Sequence, residues 1–262
     1  MKRAVLVFLT CLAWSPGSAE QDDRYDPDAA LRVSQAAIGS ALGDHRFTDS
    51  SGRPVSLRDY AGKPLVVSMI FTSCHYVCPL ITKHLDESAR AAREVLGQDS
   101  FEIVTVGFDA ANDTPEAMAA FARAQGIDAR GWRFLSAPPE TIAALSDELG
   151  FIFFPSPRGF DHLNQLTMID RDGRVYAQVY GATFELPWLV EPLKQLIFNR
   201  PESAGHAWAG LADKIRLFCT VYDPATGRYE IDNSLFFQIA IGLTVVLSVF
   251  FYLWREFRHA RK

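Results

Sequence analysis

The chain has 262 residues, of which 48% are hydrophobic and 22% are charged. These proportions are typical of a globular protein that can bury one sizeable core. The net charge of −5 gives no reason to expect a nucleic-acid partner. The two ends of the chain say more about its location than these averages do.

The amino terminus has the three parts of a secretory signal peptide. Lys2 and Arg3 form a positive segment, an apolar segment runs from Ala4 to Trp14, and small residues precede a cleavage position after Ala19. The apolar segment is too short to serve as a stable membrane anchor. We therefore expect this segment to be removed on export.

An uncharged apolar stretch lies near the carboxyl end, from Leu235 to Trp254. Its length of about 20 residues matches the hydrocarbon core of a bilayer. Basic residues follow it, from Arg255 to Lys262, and the positive-inside rule places such a tail in the cytoplasm. The alternative, a buried core helix, fits an uninterrupted apolar run at the chain's end poorly. The sequence predicts a single-pass protein of the cytoplasmic (inner) membrane, with its main domain on the periplasmic, extracytoplasmic side.

The predicted organisation has six parts. In chain order they are a signal peptide (1–19), a flexible lead-in (20–41), a main domain (42–199), a juxtamembrane linker (200–234), a transmembrane helix (235–254) and a cytoplasmic basic tail (255–262). The linker contains "DPATG", a turn signal between aromatic and β-branched residues, which predicts a small hairpin near the membrane.

Strand and helix patterns alternate along the main domain. Short apolar runs predict buried strands over 64–71 and 101–108. Helical patterns cover 78–96, 115–125, 139–149 and 186–198. The stretch "LTMIDRDGRVYAQVYG" predicts a β-hairpin that turns at Asp172 and Gly173. This order predicts an α/β fold with a mixed central sheet.

The stretch "FTSCHYVCPL" places Cys74 and Cys78 four residues apart, after a buried strand and at the start of a helix. Ligands gather beyond the carboxyl ends of strands in α/β sheets, and residues four apart share a helix face. A helix N-terminus favours the thiolate, a soft ligand suited to Cu(I). Three interpretations stay open: a metal site, a redox pair with one more intervening residue than usual, and two small buried residues.

Export affects how the cysteines are interpreted. Cys11 leaves with the signal peptide, and Cys74, Cys78 and Cys219 remain. An oxidising compartment permits disulfides, but three is an odd number. For Cys219 we expect a buried structural thiol, with a mixed disulfide or a role in metal transfer as alternatives.

Three segments of the chain resemble the Sco/SenC family of thioredoxin-fold copper proteins. They are "GKPLVVSMIFTSCHYVCP", "GFDAANDTPE" and "GFDHLNQLTMIDRDGRV". The resemblance implies a thioredoxin-like fold for the main domain. The C-terminal transmembrane helix, predicted from the apolar run, is an addition to that fold. It also implies a copper site, for Cu(I) or Cu(II), formed by Cys74, Cys78 and His162. The implied client is a cuproenzyme such as cytochrome c oxidase subunit II.

The chain departs from the family's pattern at three points. His75 stands where proline is common, His162 is followed by "LNQ" rather than serine, and the anchor is C-terminal instead of N-terminal. These differences leave the physiological client open.

The histidines of the exported part differ in their expected roles. His162 would complete a set of two sulfurs and one nitrogen, which copper accepts in either oxidation state. His75 should point away if both cysteines face the copper, although its positive charge would favour a thiolate. The remaining histidines of the exported part, His45, His84 and His206, are expected at the surface.

Two acidic residues follow the second buried strand. Asp109 ends that strand and is a candidate for supporting the metal ligands or docking a partner. Either Asp113 or Thr114 should cap the helix that begins near Pro115.

The expected function is a copper chaperone rather than an enzyme, serving the copper centre of a respiratory oxidase. The alternative is a thiol–disulfide reductase that keeps client cysteines reduced for metallation. In that case Cys74 would attack, Cys78 would resolve, and His162 would be expendable. A peroxidase-like protein is a third, weaker interpretation, because it needs a single activated cysteine beside an arginine.

Overall fold

The computed structural model describes residues 25–128, 130–198, 220–223, 228–231 and 234–259. The predicted signal peptide, Cys219, His206 and the end of the basic tail lie outside these residues.

The main domain alternates strands and helices, as predicted. The helices are α1 (Pro27–Ala36), α2 (Val77–Leu96), α3 (Pro115–Gln125), α4 (Pro139–Leu149) and α5 (Leu186–Phe198). The strands are β1 (Arg46–Asp49), β2 (Pro54–Ser56), β3 (Leu65–Ile70), β4 (Glu102–Gly107), β5 (Trp132–Ser136), β6 (Phe153–Ser156), β7 (Gly159–His162), β8 (Gln165–Ile169) and β9 (Val175–Tyr180). The two predicted buried strands and four predicted helices agree with these bounds to within one residue at each end.

Seven strands form one mixed sheet, in the order β2-β1-β5-β4-β3-β8-β9. Strands β3, β4 and β5 run parallel, and β8 and β9 form the predicted antiparallel hairpin. All six residues of β3 are buried, which fits an apolar run without a polar face. In β3 and β4, Ile70 pairs with Gly107, so the loops that follow both strands leave the sheet side by side. The predicted α/β fold with a mixed central sheet is confirmed.

Helix α1 lies within the segment that we expected to be a flexible lead-in. Asp26 caps the helix with its side chain and Pro27 occupies the first turn, two features that favour a helix start. Ala30 and Ser34 are buried and lie one turn apart, so a narrow face of α1 packs on the domain. The prediction missed this helix because its buried face is made of small residues, which give no apolar periodicity.

The turn after α4 lies very close to α1. Gly150 has φ +62°, and a Cβ there would lie 2.6 Å from the carbonyl oxygen of Val33 and 2.8 Å from Cα of Ser34. Gly126, after α3, has a similar φ of +70°, but a Cβ there would meet nothing within 4 Å. The two glycines therefore differ in their surroundings and not in their backbone conformation.

We expect alanine at these two positions to have unequal effects. Gly126→Ala should lower the free energy of unfolding by about 1 kcal/mol, because only left-handed backbone strain is added. Gly150→Ala should lower it by about 2–4 kcal/mol, because a collision with α1 adds to the same strain. Urea unfolding of both variants measures the difference. Equal losses would contradict the close packing of α1 on this turn.

Beyond the main domain, β10 (Thr220–Asp223) and β11 (Arg228–Ile231) pair as an antiparallel hairpin, as predicted from "DPATG". Helix α6 (Ser234–His259) follows and includes the stretch predicted as transmembrane. The side chains described in α6 are those of Phe237, 241–251 and Trp254. Among the described residues, no helix is long and apolar enough to cross a membrane.

Candidate metal site

Cys74 and Cys78 lie just beyond the carboxyl end of β3, where the sequence predicts them. After β3 the chain turns, and the backbone N–H of Cys74 donates to the carbonyl oxygen of Phe71 at 3.1 Å. Helix α2 then begins at Val77. Cys74 is half-buried, Cys78 is buried, and both are free thiols. One turn of chain therefore presents both sulfurs at the edge of the sheet.

The sulfur of Cys74 occupies the N-terminus of α2. Its Sγ accepts the backbone N–H of Cys78 at 3.3 Å, whereas Tyr76, at the N-cap position, makes no capping bond with its side chain. The thiol of Cys78 and the backbone N–H groups of Cys78, Tyr76 and Val77 lower the pKa of Cys74 to about 5, against the opposing effect of burial. Cys74 is therefore a thiolate at neutral pH.

The pKa of Cys78 is shifted in the opposite direction to that of Cys74. It is 2% exposed, and its thiol donates a hydrogen bond to Cys74. That hydrogen bond, burial and the negative charges of Cys74 and Asp113 raise the pKa of Cys78. The pair consists of one accessible thiolate and one buried thiol that keeps its proton.

His162 ends β7, in a two-stranded β6–β7 sheet that is separate from the seven-stranded sheet. Its ring packs edge-on against Phe71 and Phe108, with centroids 6.1 and 5.2 Å away. Burial lowers the pKa of His162, so the imidazole is neutral near pH 7, the form that binds metals. Its Nδ1 lies 3.0 Å from the carbonyl oxygen of Leu163. Because a carbonyl only accepts, Nδ1 carries the proton and the lone pair is on Nε2.

A cluster of phenylalanine rings surrounds His162 and reaches the cysteine turn. Its members are Phe71, Phe108, Phe151, Phe153 and Phe160. Gly159 brings the β6–β7 hairpin against this cluster, since a Cβ there would lie only 2.7 Å from the ring of Phe71. The cluster was not predicted, although the phenylalanine-rich stretch "FIFFPSPRGF" was a signal for it.

The structure brings the two cysteines together and places His162 near them. The charge of Cys74 contributes to the pKa of His162, so the two groups are within electrostatic range. Within the described ranges, no group of three His, Cys, Asp or Glu side chains is arranged to hold a metal ion. The two sulfur donors therefore lie together, whereas His162 is not part of a three-residue metal cluster with them in the described part of the chain.

The other candidates lie outside this arrangement. His75 is exposed, and the side chain of Asp109 accepts from the amide of Asn112 at 2.8 Å. Of the two residues considered for capping α3, Thr114 does so, accepting the N–H of Ala117 at 3.3 Å.

Two histidines expected at the surface are half-buried instead. His45 Nε2 lies 2.6 Å from a carboxylate oxygen of Glu148. His84 Nε2 lies 2.7 Å from the carbonyl oxygen of Phe184, and its ring packs edge-on against the ring of the same residue. Both partners are more than 90 positions away in the sequence, so no local pattern indicated them.

Similar proteins were found both by sequence and by structure. A family model described as SCO1/SenC matches residues 34–197. A putative electron transfer protein from Aquifex aeolicus VF5 is 29% identical, with a TM-score of 0.56 over 64% of this chain and 99% of that chain. Copper-bound ScoI of Bradyrhizobium japonicum is 24% identical, with a TM-score of 0.50 over 61% of this chain and 99% of that chain.

A third structure is that of BsSco, described as a member of the Sco family of cytochrome c oxidase assembly proteins. It is 20% identical, with a TM-score of 0.54 over 62% of this chain and 96% of that chain. These likenesses bear out the predicted thioredoxin-like fold. The matched range contains the cysteine turn, the phenylalanine cluster and the hairpin that carries His162. The family model matches residues 34–197, more than half of the chain, and the protein is therefore a member of the SCO1/SenC family.

Proposed function

We propose that this protein is a copper chaperone that binds one copper ion through Cys74, Cys78 and His162 and delivers it to a respiratory oxidase. The observation that carries the proposal is the cysteine turn, where a thiolate and a thiol lie side by side at a helix N-terminus. Sco family proteins take part in copper handling and cytochrome c oxidase assembly, and ScoI of Bradyrhizobium japonicum binds copper in its solved structure.

The donor atoms of the site fit copper. Two sulfurs are soft ligands that favour Cu(I), and Cys74 is already ionised at neutral pH. Cys78 would release its proton on binding, which makes capture of the ion dependent on pH. The neutral imidazole of His162 would supply the third donor through Nε2, after a movement of its ring or of the β6–β7 hairpin.

The proposal includes a membrane anchor formed by the apolar sequence stretch from Leu235 to Trp254. The sequence from Leu235 to Trp254 has no charged residue. Side chains described in α6 are largely exposed, among them Phe237 at 69%, Val246 at 65% and Phe250 at 66%. A row of exposed apolar side chains is unfavourable in water and suits a lipid environment. An anchored domain on the extracytoplasmic side would meet a membrane-bound client such as cytochrome c oxidase subunit II.

Copper titration tests the proposed ligands. The full chain, purified in detergent and reduced, is titrated with Cu(I) in competition with a coloured chelator. We expect Cys74→Ser and Cys78→Ser to lose tight binding, and His162→Ala to weaken it by about tenfold or more, since even supporting residues of metal sites contribute that much. His75→Ala is the matched control and should bind as the unaltered chain does. Equal affinity in His162→Ala, or a loss in His75→Ala, would overturn this ligand set.

The asymmetry of the thiols favours a second candidate, a thiol–disulfide reductase. The thiolate of Cys74 would attack a client disulfide and release one client thiolate. Cys78, after losing its proton, would then attack the sulfur of Cys74, release the second client thiolate and leave a Cys74–Cys78 disulfide. The client gains two electrons and the pair loses two, so an external dithiol must reduce the pair again. Full reduction of a disulfide peptide by His162→Ala, together with unchanged copper affinity, would favour this function over delivery.

A further inference from the structure

Asp113 is a buried carboxylate in the loop between β4 and α3. It is 2% exposed. Its Oδ1 accepts the backbone N–H of Thr72 at 2.8 Å and the hydroxyl of Thr72 at 2.7 Å. Its Oδ2 accepts the backbone N–H of Asp109 at 2.9 Å. A carboxylate can be buried at this depth because both of its oxygens are satisfied.

These hydrogen bonds join the ends of two neighbouring strands. Thr72 lies two residues after β3, and Asp109 lies two residues after β4. Because Ile70 and Gly107 are partners at the carboxyl ends of those strands, Asp113 connects both loops where they leave the sheet. One of these loops is the turn that leads to Cys74.

Gly107 makes this position available to Asp113. A Cβ at Gly107 would lie 2.4 Å from Cβ of Asp113 and 2.9 Å from its Oδ2. A real Cβ does not come within 3.0 Å of a non-bonded heavy atom, so only glycine lets the carboxylate pack against the end of β4.

Thr72 lies inside the cysteine turn. The turn closes where the N–H of Cys74 donates to the carbonyl oxygen of Phe71, and Cys74 Sγ then accepts from the N–H of Cys78. We propose that Asp113 is a positioning residue for the cysteine pair, because its hydrogen bonds to Thr72 hold the turn that presents Cys74 Sγ beside Cys78. This role adds a residue to the proposed copper site, and it rests on the proposed function because Cu(I) is the probe in the first measurement.

Three substitutions separate positioning from a contribution to folding alone. Asp113→Asn keeps the shape of the side chain but replaces one carboxylate oxygen by an amide nitrogen. That nitrogen is a donor and cannot accept a hydrogen bond from Thr72 or Asp109. Thr72→Val removes the hydroxyl donor and keeps the branched shape. Asp109→Asn is the matched control, since it changes a carboxylate of the same loop whose side chain accepts from Asn112 and not from the turn.

The first measurement is the Cu(I) affinity of the reduced full chain in detergent, corrected to the folded fraction. We expect Asp113→Asn and Thr72→Val each to weaken binding by about tenfold, the usual effect of losing a hydrogen bond to a charged group. The double variant should lose less than the product of the two single losses, because both remove the same contact. Asp109→Asn should bind normally. Unchanged affinity in Asp113→Asn, or strictly additive losses, would overturn the positioning role.

The second measurement does not use copper. Hydrogen–deuterium exchange followed by mass spectrometry should show faster exchange of the segment 71–78 in Asp113→Asn, with β8 unchanged. A uniform rise over the whole domain would mean that Asp113 contributes only to stability, and would overturn the inference. If the unaltered chain binds no Cu(I), the proposed function fails, and the exchange pattern alone decides the role of Asp113.

Discussion

Replacing Phe108 by alanine is expected to lower the free energy of unfolding by about 3–5 kcal/mol, the usual loss for a large buried aromatic side chain. Phe108 is 2% exposed. Its ring contacts four other phenylalanine rings and the imidazole of His162, with centroids 4.7 to 5.4 Å away. The substitution leaves a cavity that the remaining rings cannot fill completely. Urea unfolding, followed by circular dichroism, measures the loss.

The same substitution should weaken Cu(I) binding, because the hairpin that carries His162 loses the ring on which it rests. Phe154→Ala is the matched control. Phe154 is half-buried, and its ring lies 6.5 Å from that of Tyr25, away from the phenylalanine cluster. We expect the control to lose less than about 2 kcal/mol and to bind copper normally. Similar losses in the two variants would show that the cluster has no special part in holding the hairpin.

The second large effect concerns the reactivity of the cysteines. Iodoacetamide is expected to label Cys74 well before Cys78, with a rate that reaches half its maximum near pH 5, since hydrogen bonds lower the pKa of Cys74 to about 5. Cys78→Ala should shift that midpoint upward, because the thiol of Cys78 is the largest single cause of the low pKa. Backbone N–H groups remain, so the midpoint should stay below the ordinary value for a thiol.

The same shift affects the pH dependence of stability. The pKa of Cys74 is lower in the folded chain than its ordinary value of 9.0, so the folded state favours the thiolate. The contribution of the Cys74 thiolate to stability is complete above the unfolded pKa and is lost as the pH falls through about 5.

In the labelling experiment, mass spectrometry after partial reaction at each pH shows how much of Cys74 and how much of Cys78 carries the label. A midpoint near pH 9, or earlier labelling of Cys78, would contradict this geometry.

Four of the seven strands of the central sheet, β3, β4, β8 and β9, were predictable because each has a local signal. The strand β3 is a continuous apolar run, and the limits of α3 are marked by Pro115 and by Gly126. The position of the cysteine pair followed from the order of β3 and α2. The helix α1 was missed because Ala30 and Ser34 carry its buried face.

The site was less predictable than the fold. The four-residue spacing put both sulfurs on one helix face, but it could not show that Cys74 alone would meet the helix N–H groups. Strands β6 and β7 are mostly half-buried, so they lack the alternation that marks a strand. Asp113 was a candidate helix cap. Its contact with Thr72 was not predictable, because the two residues are 41 positions apart and no local pattern connects them.

In the proposed copper chaperone, the separation of the β6–β7 hairpin from the central sheet has a consequence for the release of copper. The two sulfurs lie between β3 and α2, while His162 belongs to a hairpin that packs on the domain through ring contacts and does not pair with the strands of the main sheet. Withdrawal of the imidazole therefore breaks no hydrogen bond of that sheet. An acceptor protein could first take the coordination position that the proposed ligand His162 leaves, and displace the sulfurs afterwards. Copper would then pass by stepwise ligand exchange between the two proteins and would at no stage be free in solution.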